Sequence, residues 1–256
     1  MTNQFTFEAL GTKWWIELFE NISEQRLTAL KKDCEAFIMT FEDSYSRFKP
    51  NSCISMINRE RVLKDPSQEL IDLLTFGKQK YLETNALFNI LTGHIQEAKG
   101  YDAEYSFMMA DTIPLPGNPV TDLAIDESKI TLSGYSKIDL GGYGKGYLID
   151  LVVDRLKKEH GLNYFLINGG GDIYATSDNG EPVEIQIEHP TEPEKFIGAT
   201  TLLNGAFAAS SSHKRRWKTK QGEQNHIVGE AGDSSYVKAK TAKEADVLAT
   251  VKLLTK

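Results

Sequence analysis

The run Lys137-Ile138-Asp139-Leu140-Gly141-Gly142-Tyr143-Gly144-Lys145-Gly146 constrains this chain more than any other stretch. An acid with apolar flanks, Asp139, leads into closely spaced glycines and one lysine. Glycine lets backbone approach a ligand, or take a positive φ, without a Cβ clash. From Tyr147 to His160 apolar residues recur at helical spacing (Leu148, Leu151, Val152, Leu156), and Gly161 suits the position just past a helix end. A glycine turn therefore feeds a helix N-terminus, where free N–H groups and the helix dipole suit a phosphate. The pattern is neither a P-loop nor G-x-G-x-x-G, so a phosphate site and a plain structural turn both remain open.

The flanking chain mixes strand and helix signals. Residues 6–19 read as an extended pair turning at Gly11, with Phe7, Trp14, Trp15, Ile16 and Phe19 as strand formers. Ser23 caps a helix running to about Phe41 through Leu27, Leu30, Cys34, Phe37 and Ile38. A short helical turn is expected over 54–58, and Ser67 caps a second helix carrying Leu70, Leu73, Leu74 and Tyr81. Residues 108–132, rich in Pro and Asp, read as a surface loop ending in a strand over 129–132. Strands follow at 163–167, at 183–188 and at 200–209, with Asn168-Gly169-Gly170-Gly171-Asp172 between the first two. The last segment, 242–254, reads as a helix with Val247, Leu248, Val251 and Leu254 on its apolar side. Irregular alternation of this kind points to α+β, with mainly antiparallel sheets and packed helices, in one domain over 1–256.

A net charge of −7 argues against nucleic-acid binding, which asks for a basic face. The one basic cluster, His213-Lys214-Arg215-Arg216, reads as a solvated or anion-contacting loop. No apolar run is long enough to span a bilayer, and the N-terminus lacks the basic start and apolar core of a signal peptide. Cys34 and Cys53 have no metal-ligand spacing, and the chain reads as cytosolic and reduced.

Several short pieces, taken in order, resemble one family. They are Ala9-Leu10-Gly11-Thr12, Ser46-Arg47-Phe48 with Ser52 and Asn58, and Phe88-Asn89-Ile90 before Gly93. The Asp139–Gly146 run, Asn168-Gly169-Gly170-Gly171-Asp172-Ile173, Ser210 with Arg215, His226-Ile227 and Ala245-Asp246-Val247-Leu248-Ala249-Thr250 complete the series. The series is similar to the FAD:protein FMN transferases, the ApbE-type flavin transferases. The resemblance implies a T-fold-like core and Mg²⁺-dependent transfer of the FMN half of FAD to a threonine of an acceptor flavoprotein, releasing AMP. It places the metal on Asp246, Thr250 and the backbone carbonyl of Gly142. It places FAD contacts on Leu10, Phe48, Leu87, Phe88, Asn89, Asp139, Lys145 and Ile227, and it associates His226 with catalysis.

The residue types suit that chemistry. Asp246 and Thr250 stand one helical turn apart, so two oxygens can face one hard cation, and Mg²⁺ favours few protein ligands beside water and phosphate. Lys145 adds positive charge, and a histidine of ordinary pKa about 6.5 can accept the threonine proton. Each residue also has a plainer role: an exposed helix face for Asp246 and Thr250, a strand histidine for His226, core for Phe48 and Phe88, and solvent for Lys145. A FAD pyrophosphatase and a non-catalytic FAD-binding protein are the competing functions.

The chain departs from the family at four places. Val228-Gly229-Glu230-Ala231-Gly232 replaces the usual Asp-Pro-x-Thr-Gly-like segment, and the interval from His226 to Asp246 is short. Asn89 stands where Asp is common, and the chain stops at Lys256, soon after the start of the helix on which the resemblance places the metal ligands. The first two changes bear on substrate closure and on the role of His226. The absent lipoprotein signal points to a cytosolic acceptor.

Overall fold

Period-two burial, the mark of a sheet with distinct faces, begins almost at once: Phe5, Phe7 and Ala9, then Trp14, Ile16 and Leu18, are buried on alternate positions. The structure is a computed structural model and describes residues 3–192, 194–213, 216–219 and 222–255. Lys214 and Arg215 of the basic cluster lie outside the described residues. The elements run β1 (Asn3–Ala9), β2 (Thr12–Leu18), α1 (Glu24–Tyr45), α2 (Cys53–Glu60), β3 (Val62–Lys64), α3 (Gln68–Glu83), α4 (Gly93–Ala98), α5 (Pro119–Asp122), β4 (Leu123–Ile125) and β5 (Lys129–Leu132). They continue with α6 (Gly144–Lys158), β6 (Phe165–Gly169), β7 (Asp172–Thr176), β8 (Val183–Glu188), β9 (Phe196–Leu202), β10 (Asn204–Ser211), β11 (Arg216–Thr219), β12 (Gly222–Asn225), β13 (Ser234–Ala239) and α7 (Ala242–Leu254). Among the described residues the strand pairings are all antiparallel, and the α+β expectation holds.

By packing, the described residues form two compact parts. The first takes those up to Glu42, with Tyr143–Ser211 and Asp233–Lys252; the second takes Asp43–Gly142, Ser212–Gly232 and those from Leu253 on.

The first part is built on a six-stranded sheet in the order β1-β2-β6-β7-β10-β13. The β1–β2 turn is Leu10-Gly11, with φ of 52° and 66°. Two successive left-handed residues match the twist of a two-residue hairpin, and glycine supplies the second without strain. On one face Leu166, Ile173, Ala175 and Phe207 pack against Val183, Ile185 and Leu202 of the β8–β9 hairpin. On the other, Gly169 lies close to Trp14 and to Ile149 of α6. Leu30, Cys34 and Ile38 bury one side of α1, and burial raises the Cys34 thiol to about 12, as befits a core thiol.

The second part holds α2 to α5, a three-stranded sheet in the order β3-β5-β4, and the β11–β12 hairpin. Its core includes Ile54, Ile57, Leu70, Leu73, Leu74, Ile130 and Ile138. Ser52 caps α2 by accepting from Ser55 N–H (3.0 Å), and Ser67 caps α3 by accepting from Leu70 N–H (3.2 Å).

Several sequence expectations are corrected. α1 runs on to Tyr45, past the expected end at Phe41. α6 begins at Gly144, ahead of the expected Tyr147, so Lys145 lies in its first turn. The expected strand over 200–209 is two strands. Leu202 packs with the β8–β9 hairpin, while Asn204 Oδ1 accepts from Thr176 Oγ1 (2.6 Å) and ties the chain to β7. The buried side of α7 is Ala242, Ala245, Asp246, Val247, Ala249 and Leu253, with Leu248 exposed. The loop over 108–132 contains α5 and β4 before the expected strand. No helix among the described residues is long and apolar enough to cross a membrane.

Candidate active site

In the first part the charged residues converge on the start of α6. Lys145 Nζ lies 2.7 Å from Asp172 Oδ2 and 3.6 Å from Asp246 Oδ2. Both carboxylates are buried, at 5% and 6% side-chain exposure. Asp172 reaches this point because β7 begins right after the glycine turn, in which Gly170 and Gly171 take φ of 75° and 102°. Asn168 Oδ1 secures the turn by accepting from Gly171 N–H (2.8 Å). Asp246 reaches it from the first half of α7, where Oδ2 also accepts from Gly146 N–H (3.2 Å).

Among the described residues, two buried carboxylates face one lysine here. Burial pushes the Asp246 carboxyl up to about 7, the charge of Asp172 adds to the rise, and Lys145 opposes it. Thr250, half-buried one turn further along α7, has Oγ1 3.5 Å from Ser210 Oγ. Among the described residues no three His, Cys, Asp or Glu side chains form a metal-binding group. The oxygens here fit a Mg²⁺ that takes one or two carboxylate or hydroxyl ligands and completes its shell with water and phosphate. A helix N-terminus beside them adds attraction for an anion.

In the second part, Arg47 and Asp139 form an ion pair through Arg47 Nε and Asp139 Oδ2, at 4% and 6% side-chain exposure. Asp139 Oδ1 accepts from Gly141 N–H (2.6 Å), folding the start of the glycine turn around the carboxylate. The rest of the guanidinium donates to Gln96 Oε1 (3.0 Å) and to the Tyr101 carbonyl (2.9 Å). Asn58 braces the same strip, donating to the Ile138 carbonyl (2.9 Å) and accepting from its N–H (2.7 Å). A Cβ at Gly142 would meet the Phe88 ring at 2.9 Å, so the buried Phe88 lies close under the glycine corner.

Aromatic rings adjoin the arginine. Arg47 lies 4.1 Å from the Phe48 ring centroid, and Phe48 stacks on Tyr105 with centroids 5.6 Å apart. Tyr101 stacks on Trp217 at 5.5 Å. Tyr105 and Phe107 are 46% and 41% exposed, so flat apolar surface is available to a planar ligand.

The remaining residues singled out from sequence fall as follows. Leu10 is half-buried in the β1–β2 turn, its N–H donating to Glu42 Oε2 (2.7 Å). Leu87 is 44% exposed. Asn89 uses both ends of its amide on local backbone, donating to the Gly117 carbonyl (2.8 Å) and accepting from Leu91 N–H (2.8 Å). Ile227 is buried, and its carbonyl accepts from Lys99 Nζ (2.9 Å). His226 is half-buried just past the end of β12, so the alternative of a strand histidine is corrected. Asp172, Lys99, Tyr101 and Trp217 were not among the sequence candidates. Only Asp172 carried a readable signal, an acid directly after a triple-glycine turn.

Chemically, the half-buried lysine and the buried carboxylates suit an oxygen-rich anion brought in with a hard cation, on a fold of antiparallel sheets and packed helices. The profile of the ApbE family matches residues 10–254, and the chain belongs to that family. It is similar to the FAD:protein FMN transferase of Escherichia coli K12, with 22% identity over 241 residues covering 86% of this chain and 67% of that protein. It is likewise similar to the FAD:protein FMN transferase of Haemophilus influenzae, with 24% identity over 237 residues covering 85% and 67%. Its fold is that of the ApbE protein of Thermotoga maritima, at a TM-score of 0.84 and 19% identity, covering 100% of this chain and 87% of the other. The flavinyl transferase ApbE of Pseudomonas stutzeri superposes at a TM-score of 0.78 and 18% identity, covering 99% and 84%.

Proposed function

We propose that this protein is a Mg²⁺-dependent FAD:protein FMN transferase that acts as one domain and modifies a threonine of an acceptor flavoprotein. The observation that carries the reading is the cluster of Lys145 with the buried Asp172 and Asp246 at the N-terminus of α6, in a chain that matches the ApbE family over residues 10–254. The residues that would hold the metal are Asp246, Thr250 and the carbonyl of Gly142. Bound there, Mg²⁺ supplies neutralisation of the charge that grows on the pyrophosphate oxygens.

The chain's own groups do the rest. Lys145 balances phosphate charge from the first turn of α6, and the Arg47–Asp139 pair holds the glycine turn in shape. Phe48, Leu87 and Phe88 offer apolar surface to the flavin, with Leu10, Asn89, Asp139 and Ile227 as further contacts. The threonine oxygen forms a bond to the FMN phosphorus as the bond from that phosphorus to the AMP oxygen breaks. His226 accepts the hydroxyl proton, and AMP leaves.

Incubation with FAD, Mg²⁺ and an acceptor flavoprotein, followed by intact mass measurement, is the test. A mass increase equal to FMN less one water on an acceptor threonine, with AMP released in equal amount, is the expected result. FMN and AMP appearing without a protein adduct would instead make water the acceptor. FAD bound with neither product would leave a binding protein.

A further inference from the structure

The first turns of α6 and α7 are capped by each other. Asp246 on α7 accepts from Gly146 N–H in the first turn of α6 (3.2 Å). Asp150, one turn along α6 from Gly146, accepts in return from Ala242 N–H (2.7 Å) and Lys243 N–H (3.1 Å), the first two amides of α7. The opening amides of a helix have no partner within it, so something outside must satisfy them. Thr241 is the local cap of α7, but its Oγ1 reaches only Glu244 N–H, at 3.4 Å. Asp150 therefore supplies the main cap from another helix, and a carboxylate there also suits the positive end of the dipole.

Gly146 lets the two helices come this close. A Cβ on it would meet the Ala242 carbonyl oxygen at 2.4 Å and Asp246 Cβ at 2.9 Å. The paired contacts fix both the separation and the rotation of α7 relative to α6. Rotation of α7 about its axis is what aims Asp246 and Thr250.

We infer that Asp150 is a positioning residue for the divalent cation: by capping α7 it sets the rotation at which Asp246 and Thr250 present their oxygens. This inference rests on the metal reading proposed above. Outer contacts that orient metal ligands commonly change affinity about 10- to 100-fold when removed. Loss of the cap is expected to weaken the cation and to leave the remainder of α6 in place.

The test titrates Mn²⁺ into the full chain with FAD present, reading free Mn²⁺ by electron paramagnetic resonance, for wild type, Asp150→Asn, Asp150→Ala and Arg155→Ala. Arg155 also lies on α6 but pairs with Asp33 (2.7 Å), so its removal is a stability control. The expected result is a Kd for Mn²⁺ raised about tenfold by Asp150→Ala and less by Asp150→Asn, which keeps one acceptor oxygen. Arg155→Ala is expected to keep the wild-type Kd at an equal or greater loss of melting temperature. Hydrogen exchange should speed up at Ala242 and Lys243 in the Asp150 variants alone. Wild-type affinity in Asp150→Ala would overturn the role of Asp150 while sparing the metal reading. The same loss in Arg155→Ala would overturn it as a mere stability effect. Failure of the wild type to bind Mn²⁺ with FAD present would remove the metal reading, and this inference with it.

Discussion

Arg47 and Asp139 are joined by a buried ion pair directly ahead of the glycine turn, each with under a tenth of its side chain exposed. A charge buried without its partner is far less favourable than the intact pair. Arg47→Ala is thus expected to destabilise the protein by about 3–5 kcal/mol. The double variant Arg47→Ala, Asp139→Asn should recover part of that loss by removing the stranded charge. Urea unfolding monitored by tryptophan fluorescence measures both.

Lys145 lies between Asp172 and Asp246, 2.7 Å from one carboxylate and 3.6 Å from the other. Lys145→Ala is expected to lower the rate of FMN transfer about 10²-fold, comparable to losing one preorganised charge stabiliser. Asp172→Asn should lower it less, since Asp246 still faces the ammonium. The rate of acceptor mass gain at saturating FAD gives the comparison.

Much of this was legible in residue order, and the exceptions share a cause. The caps at Ser67 and Ser23, the hairpin turn at Gly11 and the one-turn spacing of Asp246 and Thr250 depend on neighbours close in sequence. Asp150 and Ala242 are 92 positions apart, and no local pattern joins them. The early start of α6 was hidden for a related reason. Glycine is a poor helix former, yet packing against α7 overrides propensity at Gly146. The break at Leu203 shows in the partners of the two strands, β8 for one and β7 with β13 for the other, which lie far off in sequence. The flavin-transferase reading came from a series of short motifs, whose members lie too far apart in sequence for periodicity to connect them.

Lys99 is half-buried, burial lowers its pKa, and its ammonium donates to the Ile227 carbonyl beside His226. Lys99→Met keeps most of the side-chain volume and removes the bond. The expected outcome is a fall in transfer kcat of about 10- to 100-fold, as for a catalytic group slightly misplaced, with FAD affinity weakened as well through Ile227. Single-turnover kinetics with a separate FAD titration check it.

The bonds from Arg155 hold the Asp33 carboxyl down at about 2, with His160 adding to the effect and burial opposing it. A depressed carboxyl stabilises the fold above its unfolded value of 3.8, and that contribution is lost as pH falls through about 2. Asp33→Asn should therefore flatten the acid limb of a melting-temperature profile between those values. It should change little of the slope near neutrality.

Gly146→Ala places a methyl group against backbone, whereas Gly198→Ala meets nothing within 4 Å. The first is expected to lose about 1–3 kcal/mol through overpacking. The second should stay within about 0.5 kcal/mol of wild type, as surface changes usually do. Urea midpoints at constant m-value compare the two.

The bare backbone at Gly146 has a historical corollary. Where two helices touch through a hydrogen atom, a bulkier residue on one demands retreat by the other, and retreat pulls a carboxylate off its amide. Drift can adjust the loops around this junction step by step. A change at the junction itself costs least when both helices change together.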